Sequence, residues 1–207
     1  MHQREDRQQN IQRTIWAAQA LFVKNGIART TIAQIAKEVH LSEMSIYRYF
    51  QNKPMLIARV WQESLMTFYT DFMRQLQEET TAEDTGLAKF QKCLELYVRV
   101  YTVFPEWYTY TREMFLLSSD PTRSSEYYDP KFWEEFYQEI PMPLLSALKE
   151  GQEDGSIKSD INIYEVYQLI HNVYTGTCIY QQFDNKVTDI DIFRFTGELL
   201  VNYIRAA

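Results

Sequence analysis

The sequence predicts an all-α fold, and three kinds of observation support this. Glycine and proline together make up only 12 of the 207 residues, about half of their average share of roughly 12%, and β-rich folds need more of both for their turns. Apolar residues recur every three or four positions in most segments, as on one side of a helix. Residues that cap helices separate these segments. We therefore expect about nine helices, with three short ones forming an N-terminal bundle.

The first fifty residues predict three helices joined by short turns. An apolar stripe over residues 11–25 indicates the first helix, and Gly26 suits its C-terminal end because glycine adopts the left-handed conformation without steric cost. Thr31 opens a capping box for a second helix. Ser42 is the expected N-cap of a third helix over residues 43–50. Helices this short are unstable alone, so they must pack together as a bundle that contains a helix-turn-helix.

Longer helices are predicted in the rest of the chain. Asn52 is the expected N-cap of a fourth helix, and Pro54 suits its first turn, where the missing N–H is not needed. A polar loop follows at residues 80–86, and a second turn is expected at Gly151–Ser159. The later helices are predicted over residues 87–104, 131–151 with a break near Pro141–Pro143, 162–183 and 188–205.

Charge is distributed unevenly along the chain. Residues 1–60 contain nine basic and four acidic residues, a net charge of +5, whereas residues 61–207 contain 12 basic and 24 acidic residues, a net charge of −12. The whole chain therefore has a net charge of −7. A basic helical module joined to an acidic body indicates that the module binds a polyanion and that the body does not.

Several classes of site and location are not expected. Cys93 and Cys178 form no C-x-x-C pair, and His2, His40 and His171 are scattered along the chain, so we predict no metal site. Glycine-rich phosphate loops and hydrolase motifs are absent from the sequence, which predicts neither a cofactor nor an enzyme. An apolar run long enough to cross a membrane is also absent, and the polar N-terminus lacks a signal core. We expect a cytoplasmic protein.

Sixteen positions within residues 10–58 resemble the N-terminal pattern of the TetR/AcrR family. They are Ala17, Ala18, Leu21, Phe22, Gly26, Thr30, Thr31, Ile32, Ile35, Ala36, Leu41, Ser42, Tyr47, Phe50, Asn52 and Lys53. The resemblance implies a homodimeric transcriptional regulator, usually a repressor, with a helix-turn-helix DNA-binding domain at residues 1–53. It also implies that residues 54–207 form a helical domain that binds a small ligand and dimerises.

The third helix is the expected reader of DNA, because the second helix of a helix-turn-helix enters the major groove. Tyr47 and Lys53 resemble the phosphate contacts of the family, whereas Met44 and Ser45 are placed to reach bases. Three positions depart from the family pattern: His40 replaces the usual glycine of the turn, Ala33 replaces a frequent arginine, and Glu43 opens the third helix. The predicted DNA contacts are Thr31, Ser42, Met44, Ser45, Tyr47, Arg48, Tyr49 and Lys53. Thr31 and Ser42 could instead be caps alone.

Aromatic residues make up 15% of the chain, which favours a ligand pocket in the regulatory domain. Tyrosines add hydroxyl groups that need partners when they are buried. The alternative is that the aromatic stripe of residues 90–104 belongs only to the core. The predicted ligand contacts are Phe90, Leu94, Tyr97, Tyr101, Trp107, Tyr108, His171 and Tyr174.

The last two predicted helices are expected to form a four-helix interface around a two-fold axis. Both are apolar at helical spacing, and Gly176 would permit close approach. The predicted contacts are Tyr167, Ile170, Tyr174, Thr177, Phe193 and Leu200. Both helices could instead only close the core of their own subunit.

Together these patterns predict a ligand-responsive regulator of transcription. As a repressor it would bind a palindromic operator in double-stranded DNA and be released by a small apolar or aromatic effector. An activator, or a repressor that needs no ligand, fits the same residues. A helical enzyme or interaction protein is the alternative from another class, but an enzyme would need a catalytic constellation that the sequence lacks.

Overall fold

The computed structural model describes residues 2–103, 112–114, 138, 140–179 and 189–206. Within these ranges the regular elements are helices, apart from an isolated bridge between Ile157 and Arg205, so the all-α prediction is confirmed. Contacts divide the chain into an N-terminal unit, Met1–Thr67 with Thr109–Glu139, and a C-terminal unit, Phe68–Tyr108 with Ile140–Ala207. The functional boundary predicted between residues 53 and 54 stays a prediction.

The first four helices agree closely with the sequence pattern. They are α1 His2–Asn25, α2 Ile32–Glu38, α3 Glu43–Phe50 and α4 Lys53–Glu79. The start of α1 lies nine residues before the predicted one. The apolar stripe begins only at residue 11, but residues 2–10 contain neither glycine nor proline and are mostly good helix formers. The extension is therefore a polar piece of helix that hydrophobic periodicity does not detect.

Apolar side chains from the first three helices form the core of the bundle. Ile15, Phe22, Ile35 and Ile46 are almost completely buried. Polar bonds tie the turns to this core, since the Thr30 hydroxyl donates to the carbonyls at positions 21 and 26. The small bundle is thus stabilised by buried apolar side chains and by hydrogen bonds from side chains to backbone carbonyls.

The C-terminal unit is built from α5 Gly86–Val103, α6 Pro143–Glu153, α7 Ile163–Ile179 and α8 Asp189–Ile204. α5 packs against α6 and α8, and α7 packs against the same two helices. Pro143 occupies the first turn of α6, which confirms the break predicted at this proline pair.

Gly151 was expected in a turn, but it lies inside α6. A Cβ atom on Gly86 would lie only 2.0 Å from the Gly151 nitrogen, and one on Gly151 would lie 2.4 Å from Cδ1 of Ile157. Gly86 therefore lets α5 approach the backbone of α6 more closely than a side chain would permit, and Gly151 leaves room for the Ile157 side chain. The turn predicted at Gly151–Ser159 is thus confirmed from Asp154 onward. Its start was placed three residues too early, because a glycine is also used where backbones approach each other.

Candidate DNA-binding site

The turn between α2 and α3 has the geometry of a helix-turn-helix. His40 has a φ of 55°, and the N–H of Leu41 donates to the carbonyl of Ala36 over 2.9 Å, which closes the end of α2. The Ser42 hydroxyl accepts from the N–H of Ser45 over 3.2 Å and caps α3. Histidine therefore occupies the left-handed position where the resemblance leads one to expect glycine.

One side of α3 packs into the bundle, and the other side faces solvent. Ile46 and Phe50 are buried in the bundle, whereas Met44 is 76% exposed and Tyr47 is 43% exposed. Arg48 is exposed beside them. These three predicted DNA contacts therefore lie on one outward surface, as reading a groove requires.

The remaining predicted contacts on α2 and α3 are already engaged within the chain. The Ser45 hydroxyl lies 2.9 Å from that of Ser42. Thr31 is exposed and forms a complete capping box with Gln34, whose side-chain oxygen accepts from the Thr31 N–H over 2.7 Å. The ring of half-buried Tyr49 lies edge-on to Phe50, with centroids 6.4 Å apart. The caps are confirmed, and contact of these residues with DNA stays a prediction.

Lys53 lies in a setting that the sequence did not indicate. Its Nζ atom donates to the carbonyl of Ile27 over 2.8 Å. The backbone N–H of Ile27 donates to Oε2 of Glu113 over 2.7 Å. Sequence reasoning missed Glu113, because no local pattern connects residues that are 86 positions apart.

A cleft of about 500 Å³ lies between α1 and α3 in the N-terminal unit. Asp6, Arg7 and Asn10 line it from α1, and Arg48 and Tyr49 line it from α3. The Arg48 guanidinium carbon lies 5.5 Å from the centre of the Tyr49 ring, a cation–π arrangement. Sequence reasoning missed the three α1 residues, because the predicted helix began beyond them.

A family model described as bacterial regulatory proteins of the tetR family matches residues 15–60. The match includes α2, α3 and the turn between them. The chain belongs to the TetR family. Members of this family are DNA-binding regulators of transcription, so the regulator class is confirmed over the enzyme alternative.

Known proteins resemble this TetR-family chain over most of its length. The probable acrEF/envCD operon repressor of Escherichia coli K12 is 21% identical over 200 residues, which cover 94% of this chain and 84% of that protein. FadR of Bacillus subtilis, solved with stearoyl-CoA, has a TM-score of 0.67 at 20% identity and covers 94% and 99% of the two chains. RolR, solved with resorcinol, has a TM-score of 0.65 at 15% identity and covers 97% and 89%. Both structures share the fold of this chain.

The predicted ligand contacts of this TetR-family regulator occupy different settings. Phe90, Leu94 and Tyr97 are buried in the hydrophobic core of the C-terminal unit. His171 is exposed on α7, with its ring 5.8 Å from that of Tyr167. The Tyr101 side chain and the whole of Trp107 and Tyr108 lie outside the described residues.

Five aromatic residues, which we call the aromatic cluster, connect α4, α5, α7 and α8 within the C-terminal unit. The Tyr97 ring lies 4.6 Å from Phe72 and 4.7 Å from Tyr174, and Tyr174 lies 5.1 Å from Phe193. Phe68 completes the cluster, 5.8 Å from Phe72. Burial, together with a hydrogen bond to Tyr69, raises the pKa of Tyr97 well above its usual range. Its hydroxyl is therefore a neutral polar group inside an aromatic environment.

An open groove of about 660 Å³ lies between α5 and α8. The apolar Leu94 and Phe193 line it, together with the charged Glu95, Arg194 and Glu198. Its mixed polarity and open form differ from the enclosed aromatic pocket that the sequence predicted. Leu94 therefore borders a surface groove, while its neighbours face the core.

The predicted dimer contacts point mainly into their own subunit. Ile170, Thr177, Phe193 and Leu200 are less than 9% exposed, and Tyr167 and Tyr174 are partly buried against the core. A different set forms an apolar stripe on the outside of α8, with 48–59% of each residue exposed: Ile192, Phe195, Leu199 and Tyr203. The predicted contacts therefore lie mainly on the buried sides of α7 and α8, and an interface formed by these two helices stays a prediction.

The described residues include neither a cluster of metal-binding side chains nor a membrane-spanning helix. No group of three His, Cys, Asp or Glu side chains there could hold a metal ion. Burial raises the pKa of the Cys93 thiol to about 12, so it is protonated at neutral pH and is a poor ligand. No helix in the same ranges is long and apolar enough to cross a membrane.

Proposed function

We propose that this chain is a ligand-responsive repressor that binds a palindromic operator as a homodimer. A small, largely apolar or aromatic effector would release it. The observation that carries this proposal is the outward surface of α3, where Met44, Tyr47 and Arg48 are exposed beside a capped helix-turn-helix. Its place of action would be the cytoplasm, where operator DNA is accessible.

The residues on the outward surface of α3 would make different kinds of contact with DNA. Met44 is the most exposed of them and suits apolar contact with a thymine methyl group, while Ser45 can bond a base edge if it exchanges its Ser42 partner. Tyr47 and Arg48 suit phosphates beside the groove. Thr31, Ser42, Tyr49 and Lys53 would support or flank these contacts. Two such surfaces, related by a two-fold axis, would read half-sites about one helical turn apart.

The α1–α3 cleft would extend this interface to one further phosphate. Arg7 and Arg48 both line the cleft, so their guanidinium groups would bind a phosphate together, and the Asp6 carboxylate would oppose it. Replacing Arg7 with alanine should weaken binding to all duplexes about tenfold and lower the salt slope by about 1, because one phosphate contact is lost. Asp6→Asn should tighten binding. Fluorescence anisotropy at several salt concentrations measures the dissociation constant and the salt slope of each variant.

Lys24→Ala is the matched control for this prediction. Lys24 is exposed at the other end of α1, so this substitution removes the same charge from the same helix away from the cleft. If Lys24→Ala lowers the affinity and salt slope as much as Arg7→Ala does, the effect is one of net charge and the cleft holds no phosphate.

The exposed stripe of α8 supports the homodimer. Four large apolar side chains at spacings of three, four and four residues face solvent in the single chain, which is unusual unless another surface covers them. On α7, Leu169 is 49% exposed, and a Cβ atom on Gly176 would meet nothing within 4 Å. A two-fold axis beside α7 and α8 would pair these surfaces with their copies.

The aromatic cluster supports an apolar or aromatic effector. It brings together rings and the neutral Tyr97 hydroxyl, a combination that suits an aromatic molecule with a polar group. The net charge of −12 on residues 61–207 disfavours an anion, and Arg99 is paired with Glu79 at the surface. The RolR complex with resorcinol is therefore a better guide to the effector than the FadR complex with stearoyl-CoA.

Selection from a random duplex library tests the function as a whole. We expect the purified chain to enrich a palindrome at moderate salt, with half-sites about one helical turn apart. Resorcinol and stearoyl-CoA are then titrated onto the complex, and release by resorcinol alone is expected. Enrichment of no duplex would refute the regulator proposal, whereas release by stearoyl-CoA alone would refute only the effector class.

A further inference from the structure

The peptide groups of Ile27 are held from both sides. Its N–H donates to the Glu113 carboxylate over 2.7 Å, and its carbonyl accepts from the Lys53 ammonium over 2.8 Å. Ile27 is 2% exposed, and both hydrogen bonds are partly buried. Charged partners make these hydrogen bonds stronger than ordinary ones. We call the three residues the turn clamp.

The turn clamp holds the segment between α1 and α2, which determines the orientation of α2 relative to α1. Gly26, with a φ of +83°, ends α1 immediately before it, and a Cβ atom on this glycine would lie 3.3 Å from Oε1 of Glu113. Four residues later the chain caps α2 at Thr31. Movement of the Ile27 peptide would therefore displace the start of α2 and the helix-turn-helix behind it.

We propose that Glu113 is a positioning residue for operator binding. Its carboxylate, with Lys53 opposite, holds the Ile27 turn in the geometry that presents α3 to DNA. A turn fixed before binding leaves less freedom to lose on the operator, which raises affinity. The inference rests on the proposed DNA-binding function and deepens it. It adds a residue that lies 86 positions from Ile27 and outside the matched family segment.

The sign of the expected effect separates positioning from simple electrostatics. Glu113 is a carboxylate in a unit whose first sixty residues have a net charge of +5. If only charge mattered, removing it would strengthen the attraction to DNA phosphates. Loss of the turn clamp predicts the opposite, namely weaker binding from a more positive protein.

The experiment compares three single variants with the unchanged chain on the duplex that the unchanged chain selects. Glu113→Ala should weaken binding about tenfold with an unchanged salt slope, because the residue touches no phosphate. Glu113→Gln keeps an acceptor for the Ile27 N–H and should weaken binding only about threefold. Glu38→Ala removes a carboxylate that is exposed on α2 and should bind at least as tightly as the unchanged chain.

Hydrogen exchange gives a readout at the bond itself. The Ile27 amide should exchange at least fivefold faster in Glu113→Ala, with thermal unfolding as a check that the bundle is intact. Unchanged or tighter operator binding by Glu113→Ala, or an Ile27 amide as protected as before, would overturn the proposal. If Glu113→Ala does not fold, Glu113→Gln decides by the same two measurements. Failure of the unchanged chain to select any duplex would instead refute the proposed function.

Discussion

Replacing Phe195 and Leu199 with glutamate is expected to convert the dimer into a monomer. Both side chains are more than half exposed in the single chain, so the substitutions should leave the subunit folded. In the proposed interface each would bury a carboxylate without a partner, which is opposed by several kcal/mol. Light scattering at micromolar concentration should show a fall from twice the chain mass to the 24.7 kDa of one chain.

Loss of the dimer should weaken operator affinity at least about 100-fold, because a monomer contacts only one half-site. Arg194→Glu is the matched control, since it changes the net charge by the same two units on the groove side of α8. It breaks an exposed ion pair with Asp191, which contributes at most about 1 kcal/mol. A double variant that remains dimeric would place the interface elsewhere.

Phe90→Ala should destabilise the C-terminal unit strongly. The side chain is 0% exposed within the core, and removing a buried phenylalanine ring typically lowers the free energy of unfolding by about 3–5 kcal/mol. The melting temperature should fall by roughly 10 °C. Differential scanning calorimetry without any ligand measures this directly.

Phe90→Leu is the control, because it keeps most of the apolar volume and should lower the free energy of unfolding by only about 1 kcal/mol. The comparison also separates the two interpretations of Phe90. A core residue affects stability whether or not an effector is present, whereas a residue lining an empty pocket would affect mainly effector binding. A loss below about 1 kcal/mol for Phe90→Ala would favour the pocket.

The sequence alone predicted the helix-turn-helix almost to the residue. The Thr31 capping box, the Ser42 cap and the left-handed Gly26 all involve bonds between residues at most four positions apart. Such interactions depend on local residue types, so a linear pattern contains them. The same locality explains why the exposed residues of α3 could be named, because Ile46 and Phe50 define its inner side.

Only the tertiary structure decided which sides of α7 and α8 are inside and what holds the Ile27 turn. α8 is apolar around most of its circumference, so periodicity could not distinguish buried Phe193 from exposed Phe195. The bond between Ile27 and Glu113 joins residues 86 positions apart, a distance at which residue type alone specifies no partner. Packing selects such pairs, since burial and hydrogen bonding depend on neighbours that the folded chain supplies.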